Sequence, residues 1–185
     1  CVTTNDDDVA AKARSLRHCG RAPDKAYEYL WEGSTLRMDE VQAAILRVKL
    51  PLLEEWTDAR RKAAAWYEEG LAGVPVTLPP TPPAGWSQSF YVYTIRAERR
   101  DELMYFLRKR SIGCAVYYPM PLYMQPAYAH LHLDPQDFPH TQKACQEVLS
   151  LPMFPEITPQ QVQRVSDAIR EFYFGKILIV FLPTF

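Results

Sequence analysis

Three stretches stand out from the composition, and the residue types of the first two could bind a charged or ring-bearing molecule. The first, Gly33-Ser34-Thr35-Leu36-Arg37-Met38-Asp39-Glu40, runs hydroxyls and a guanidinium into a predicted helix start. Backbone N–H donors at such a start lack intrahelical acceptors, so the group suits an anion, although an ordinary capped helix explains the same residues. The second, Val116-Tyr117-Tyr118-Pro119-Met120-Pro121-Leu122-Tyr123-Met124-Gln125, empties a strand into a rigid segment crowded with phenols. Stacked tyrosines can line a sugar or base pocket, and equally an interface or the edge of a core. The third, Leu149-Ser150-Leu151-Pro152-Met153-Phe154-Pro155, is apolar and proline-braced, and its composition reads as structural.

Other chemistries find little support. His130, His132 and His140 share one proline-broken loop with Asp134 and Asp137, but their spacing matches no common zinc pattern. No G-x-S-x-G element surrounds a nucleophile, and seven scattered glycines form neither a G-x-G-x-x-G nor a Walker sequence. Glu54, Glu55, Glu68 and Glu69 fall on the exposed faces of predicted helices and read as solvated charge. The four cysteines form no C-x-x-C pair, which fits free thiols in a reducing cytoplasm.

A net charge of −1 leaves no electrostatic footprint for a nucleic acid. The apolar run Ile177 to Leu182 is far shorter than a membrane-crossing helix, which needs roughly 20 residues, so no membrane partner is expected. Residues 1 to 17 are polar and acidic, unlike a secretory leader, and a first residue of Cys rather than Met is expected of a processed chain or a piece of a longer one.

The elements that must position these stretches follow from periodicity. Val2 to Thr4 read as the end of a strand, with a helix following through Val9, Ala10, Ala13 and Leu16. Residues 20 to 35 read as an ordered loop. Met38, Val41, Ile45, Val48 and Leu52 recur at three- and four-residue steps and predict a helix with one buried face. Pro51 should kink or break it, and a second segment should carry Leu53, Trp56, Ala63 and Tyr67 on to Gly70. Beyond the proline-rich 75–83, strands are expected at Phe90–Ile95, Cys114–Tyr118 and Leu149–Leu151. Helices are expected at Asp101–Arg110, Thr141–Val148 and after a Thr158 cap, the last with Val162, Val165, Ile169 and Phe172 on one face. The order spells a compact α+β layer.

Together, the ordered motifs resemble the DegT/DnrJ/StrS family of sugar aminotransferases. The resemblance is carried by V-T-T-N-D at Val2 to Asp6, Leu16-Arg17 before Gly20, R-M-D-E-V-Q-A-A-I-L at Arg37 to Leu46, Lys49-Leu50 with Trp56, and Y-P-M-P-L at Tyr118 to Leu122. Gln125-Pro126-Ala127-Tyr128, Phe138-Pro139 and L-S-L-P-M-F-P at Leu149 to Pro155 extend it to about residue 173. It implies the α+β C-terminal small domain of a type I pyridoxal-phosphate enzyme, with a long kinked linking helix and a small, mainly antiparallel sheet. The implied organisation is a remnant of the large cofactor-binding domain at 1–36, the linking helix and small domain at 37–173, and an unmatched apolar tail at 174–185.

The resemblance further implies a cytoplasmic homodimer that moves an amino group from glutamate or glutamine to a nucleotide-linked keto-sugar. In the family a lysine holds pyridoxal phosphate as a Schiff base and precedes a Gly-rich turn just before the V-T-T-N-D segment. None of Lys12, Lys25, Lys49 or Lys62 stands in that context, so the chain alone is expected to be inactive. Arg37, with Thr35 where relatives carry asparagine in G-x-N-x-R, is implied to reach the cofactor phosphate of the partner subunit. Tyr117 and Tyr123 stand at the two histidine positions of an H-Y-P-x-P-L-H turn around Tyr118, and Gln88 and Tyr91 also replace common histidines; these five are the implied substrate contacts. Losing the imidazoles removes groups that titrate near neutrality and points to a divergent sugar pocket. Two other readings stay open: a non-catalytic relative acting as a dimerisation or regulatory binding module, and an independent α+β interaction domain.

Overall fold

The computed structural model of the chain describes residues 1–25 and 27–175. Of the expected tail at 174–185, Phe174 closes the last helix and residues 176–185 lie outside the described residues. Contacts gather the chain into two units, Cys1–Leu52 and a second beginning at Leu53. The edge expected at 36/37 lies inside the first of these units.

The first unit holds α1 (Asp7–Leu16) and α2 (Glu40–Lys49). Asp6 caps α1, its carboxylate accepting from the N–H groups of Asp8 at 2.9 Å and Val9 at 3.0 Å. Asp7 and Asp8 sit where the helix dipole favours negative charge. Val2 to Thr4, expected to end a strand, form no regular element. After α2 the helical ladder gives way to a 3-10 turn at Leu50–Leu52, where Pro51 cannot donate a backbone hydrogen bond.

One expectation is overturned here. The apolar stripe of α2 is not buried: Met38 is 60%, Val41 73%, Ile45 56% and Val48 74% exposed. Periodicity identifies the apolar face, but no described residue covers it. Ala22 is the only buried apolar residue among the described residues of this unit.

The second unit is the opposite. It contains α3 (Leu53–Gly70), β1 (Tyr93–Arg96), α4 (Arg100–Lys109), α5 (Pro139–Glu147), β2 (Val148–Leu151) and α6 (Pro159–Phe174). β1 and β2 pair antiparallel with Tyr93 opposite Leu151 and Ile95 opposite Leu149, so alternate residues of both strands enter one core. Thr77 extends this small sheet from Arg96 and Ala115 from Ser150, each as an isolated antiparallel bridge. The expected strand at Cys114–Tyr118 therefore reduces to the single bridge at Ala115. That expected from Phe90 begins only at Tyr93, because Phe90 adopts a left-handed backbone at φ 47° that breaks the extended run.

Three helices close the core. α3 presents Ala63, Ala64 and Tyr67, α4 presents Leu103 and Leu107, and α6 presents Val162, Val165 and Ile169, all buried with Tyr93, Ile95 and Leu149. Thr158 starts α6 with a capping box: its hydroxyl accepts from Gln161 N–H at 3.3 Å and the Gln161 carboxamide oxygen accepts from Thr158 N–H at 2.9 Å. Arg170 on α6 donates to the carbonyls of Gly70 at 2.8 Å and Ala72 at 2.7 Å, satisfying acceptors that α3 leaves open at its end. Arg100, nearly fully buried, donates to the Cys145 and Val148 carbonyls at 3.2 and 3.1 Å and so ties α4 to the α5–β2 junction.

Candidate functional site

In the first unit the loop joining α1 to α2 presents the candidate anion-binding residues. Two glycines set its shape. Gly20 lies at φ 76°, and a Cβ there would run into the Trp31 carbonyl, while a Cβ on Gly33 would overlap the Gly20 nitrogen. Without side chains the two backbone segments come together: Cys19 N–H donates to Ser34 O at 3.2 Å, Leu36 N–H to Arg17 O at 3.0 Å, and His18 bridges Thr35. Ser15, buried below, donates its hydroxyl to Arg21 O at 2.8 Å. The ordered loop expected over 20–35 is thus realised by close backbone approach.

Thr35 and Arg37 emerge from this clamp. The Thr35 hydroxyl lies 3.3 Å from the Cys19 sulfur, a weak partner, and either group can be the donor in that contact. Arg37 makes no hydrogen bond or ion pair among the described residues, and it lines a groove of about 1200 Å³ together with Thr3, Thr4, Arg14, Arg17 and Leu36. Among the described residues, no carboxylate lines that groove. Asp39 precedes α2 without making a capping hydrogen bond, and Asp39 and Glu40 offset the positive end of its dipole. An anion at this place would be met by the Arg37 guanidinium rather than by the helix terminus. The sequence motif singles out Arg37 but not Arg14, which lies close before the Leu16-Arg17 pair and shares the groove.

In the second unit, Tyr91 and Tyr117 meet at a shallow pocket of about 280 Å³ with Val92, Cys114, Ser150 and Met153 among its lining, and no charged side chain is part of it. The Ala115–Ser150 bridge, with N–H···O distances of 3.1 and 2.8 Å, joins two of its walls, and Ser150 and Thr94 share a hydroxyl contact at 2.8 Å. Tyr67 braces a third wall by donating its hydroxyl to Pro152 O at 2.8 Å. Tyr67 stacks on Tyr93 with ring centroids 4.8 Å apart, and burial pushes both phenols well above their ordinary ionisation range. Burial likewise pushes the Cys114 thiol up, against a smaller opposing effect of Arg108, so it is no ready nucleophile.

The other implied substrate residues sit apart from this pocket. Tyr118 pairs its ring with that of Tyr117 at 5.7 Å and is otherwise exposed. Tyr123 packs on Phe138 at 4.6 Å with its hydroxyl unpartnered among the described residues. Gln88 uses its backbone carbonyl to accept from Arg61 Nε at 3.1 Å. Ser150, Cys114 and Met153, the additional lining residues, carry no sequence signal of a site. Among the described residues no group of three or more His, Cys, Asp or Glu side chains could hold a metal ion, and no helix is long and apolar enough to cross a membrane.

Residues 1–170 match the DegT/DnrJ/EryC1/StrS aminotransferase family, and the chain belongs to it. It is 46% identical over 176 residues to a pleiotropic regulatory protein of Geobacillus stearothermophilus, a match covering 93% of this chain and 46% of that one. With the dTDP-3-amino-3,4,6-trideoxy-alpha-D-glucose transaminase of Streptomyces venezuelae it shares 38% identity over 176 residues, covering 92% and 45%. The crystal structure of DesV from S. venezuelae superposes with a TM-score of 0.86 at 38% identity, over 93% of this chain and 46% of that one. The chain spans about half the length of the curated relatives it matches.

Proposed function

We propose that this chain is the C-terminal part of a pyridoxal-phosphate-dependent aminotransferase acting on nucleotide-linked keto-sugars, with glutamate or glutamine as amino donor, in a cytoplasmic homodimer. The observation that carries the reading is the Arg37 guanidinium, which makes no hydrogen bond or ion pair among the described residues and follows Thr35 by two positions on a loop clamped by Gly20 and Gly33. A dianionic phosphate suits that pair, since a guanidinium offers a fixed fork of donors and the hydroxyl adds one more. When bound, the cofactor supplies an electron sink for moving a proton between carbons. The residues of this chain would do the holding: Thr35 and Arg37 at the phosphate of the partner subunit's cofactor, and Gln88, Tyr91, Tyr117, Tyr118 and Tyr123 at the substrate.

The uncharged pocket of Tyr91 and Tyr117 supports contact with a sugar or base rather than with a diphosphate. No Schiff-base lysine is assigned in this chain. None of Lys12, Lys25, Lys49 or Lys62 stands in the sequence context of the family's lysine, so the chain alone is expected not to transaminate. Arg37→Ala in the assembled enzyme should weaken pyridoxal-phosphate binding about tenfold or more, with partial recovery in Arg37→Lys, as read by equilibrium dialysis. Unchanged cofactor affinity in Arg37→Ala would sink the phosphate assignment. A cofactor absorbance that survives dialysis of the chain alone would overturn its inactivity.

A second reading has its own support. The Geobacillus relative is named a regulatory protein, so a non-catalytic family member serving in dimerisation or regulation fits the same fold. Nucleotide-sugar binding by the assembled protein without turnover on any amino donor would favour it.

A further inference from the structure

The pocket shared by Tyr91 and Tyr117 has walls whose polar atoms are mostly in use within the fold. Ser150 donates its N–H to Ala115 O at 2.8 Å and accepts from Ala115 N–H at 3.1 Å, while its hydroxyl meets that of Thr94 at 2.8 Å. The Pro152 carbonyl accepts from Tyr67 at 2.8 Å, and the Cys114 thiol turns to the Met104 carbonyl at 3.9 Å. Val92 and Met153 add apolar surface. Arg108 donates to the Cys114 carbonyl at 3.3 Å but is not among the lining residues, which include no charged side chain. What remains for a ligand is a pair of phenols. Tyr91 and Tyr117 are exposed, and neither hydroxyl bonds a described residue.

We propose that the sugar this pocket takes is a neutral deoxysugar, one that turns hydrogen or a methyl group, and neither a carboxylate nor a full set of hydroxyls, toward this lining. The volume of about 280 Å³ lies at the small end of ligand pockets and suits one hexose ring rather than a ring with its nucleotide. A carboxylate brought against these walls would give up its water and meet no cation among the described lining residues, which is the costliest exchange open to it. A ring hydroxyl facing Ser150 or Pro152 would lose water too, since the acceptors and donors there are already paired. A hydrogen or a methyl group has no such bond to lose and gains by leaving water. The two phenols can still each exchange a hydrogen bond with a hydroxyl kept elsewhere on the ring. The inference rests on the nucleotide-sugar reading and narrows its substrate from keto-sugars in general to keto-deoxysugars.

Calorimetric titration of the assembled, cofactor-bound enzyme tests it with three conjugates of one nucleotide, those of 6-deoxyglucose, glucose and glucuronate, in both the UDP and the dTDP series. Each affinity is read against the free nucleotide, and none of the three sugars carries a keto group, so no amino transfer intervenes. The 6-deoxyglucose conjugate should bind at least about tenfold more tightly than the glucuronate one, with glucose between them. Val92→Arg should close that gap about tenfold by supplying a cation, whereas the uncharged Val92→Gln should leave glucuronate disfavoured. Val92 is partly exposed, and circular dichroism melting checks that both variants fold. Should either fail, Tyr117→Arg and Tyr117→Gln make the same comparison at a more exposed position. Equal affinity for the three conjugates, or a preference for glucose or glucuronate, would overturn the proposal while leaving the nucleotide-sugar reading standing. Equal effects of the arginine and glutamine variants would do the same. Binding of no conjugate beyond its free nucleotide would overturn the proposal together with the sugar contact beneath it.

Discussion

Residues 1–52 and those from Leu53 onward are ordered by different means. In the second unit, side chains from three helices and two strands interlock around Tyr67, Tyr93, Ile95, Leu107 and Ile169. In the first, order is backbone-made: two glycines let chain segments touch, and hydrogen bonds between residues 15–22 and 28–36 hold the loop while its large apolar side chains face outward. Interior packing makes a region self-sufficient because apolar burial is the dominant favourable contribution to folding. A loop held by backbone bonds presents a shape but relies on something else to cover it.

The contrast is sharpest in paired truncations. Leu107→Ala, at a fully buried position on α4, should cost about 2–5 kcal/mol in denaturant unfolding. A loss under about 1 kcal/mol would mean that the second unit is less tightly interlocked than its geometry implies.

Alkaline pH should separate the units next. Tyr67 and Tyr93 are raised above the usual phenol value of 10.0, so the neutral forms are favoured in the fold. Their contribution is fully present below that value and is lost as pH climbs through the raised folded-state values. Ultraviolet titration should show late-ionising phenols, Tyr67 and Tyr93 with Tyr173 also displaced upward by burial, and the appearance of the first two should coincide with loss of the second unit's circular dichroism. If all the tyrosines ionise together near 10.0 with the unit intact, the stacked pair is not buried as described.

Smaller changes probe single bonds. Tyr67→Phe strands the Pro152 carbonyl and should cost about 1–3 kcal/mol, measured as a lowered denaturant midpoint. Ser166→Ala should move the other way, by up to about 1 kcal/mol, because its buried hydroxyl has no hydrogen-bond partner among the described residues. At the far end of the scale, Ile45→Ala on α2 should stay within about 0.5 kcal/mol in the chain alone. A large effect there would erase the distinction between the units.

Much of this architecture is legible in residue patterns. Pro51 marks the break after α2, Thr158 marks the start of α6, and the spacing of Val162, Val165 and Ile169 gives its inward face, with Phe172 of the same expected face only partly buried. Local steric and capping rules govern such features, so a few neighbouring residues suffice to reveal them. The burial expected of α2 is missing because periodicity tells which side of a helix is apolar and not what lies against it. Phe90 has the side chain of a strand residue, yet its backbone turns left-handed, and the Cys114–Tyr118 stretch is held at a single bridge. At the candidate site, Tyr91 and Tyr117 are visible in sequence because phenols stand out. Ser150 and Cys114 are not, because what places them in the pocket is pairing between distant parts of the chain, Ala115 with Ser150.

The grip of Arg170 on the carbonyls of Gly70 and Ala72 joins parts of the chain that lie far apart in sequence. A ribosome releasing this polypeptide must therefore emit α3 long before the helix that sheathes it, and contacts of such separation form slowly. Throughout that interval Ala63, Ala64 and Tyr67 lack their final cover, which makes α3 a segment of the nascent chain well suited to a holding chaperone.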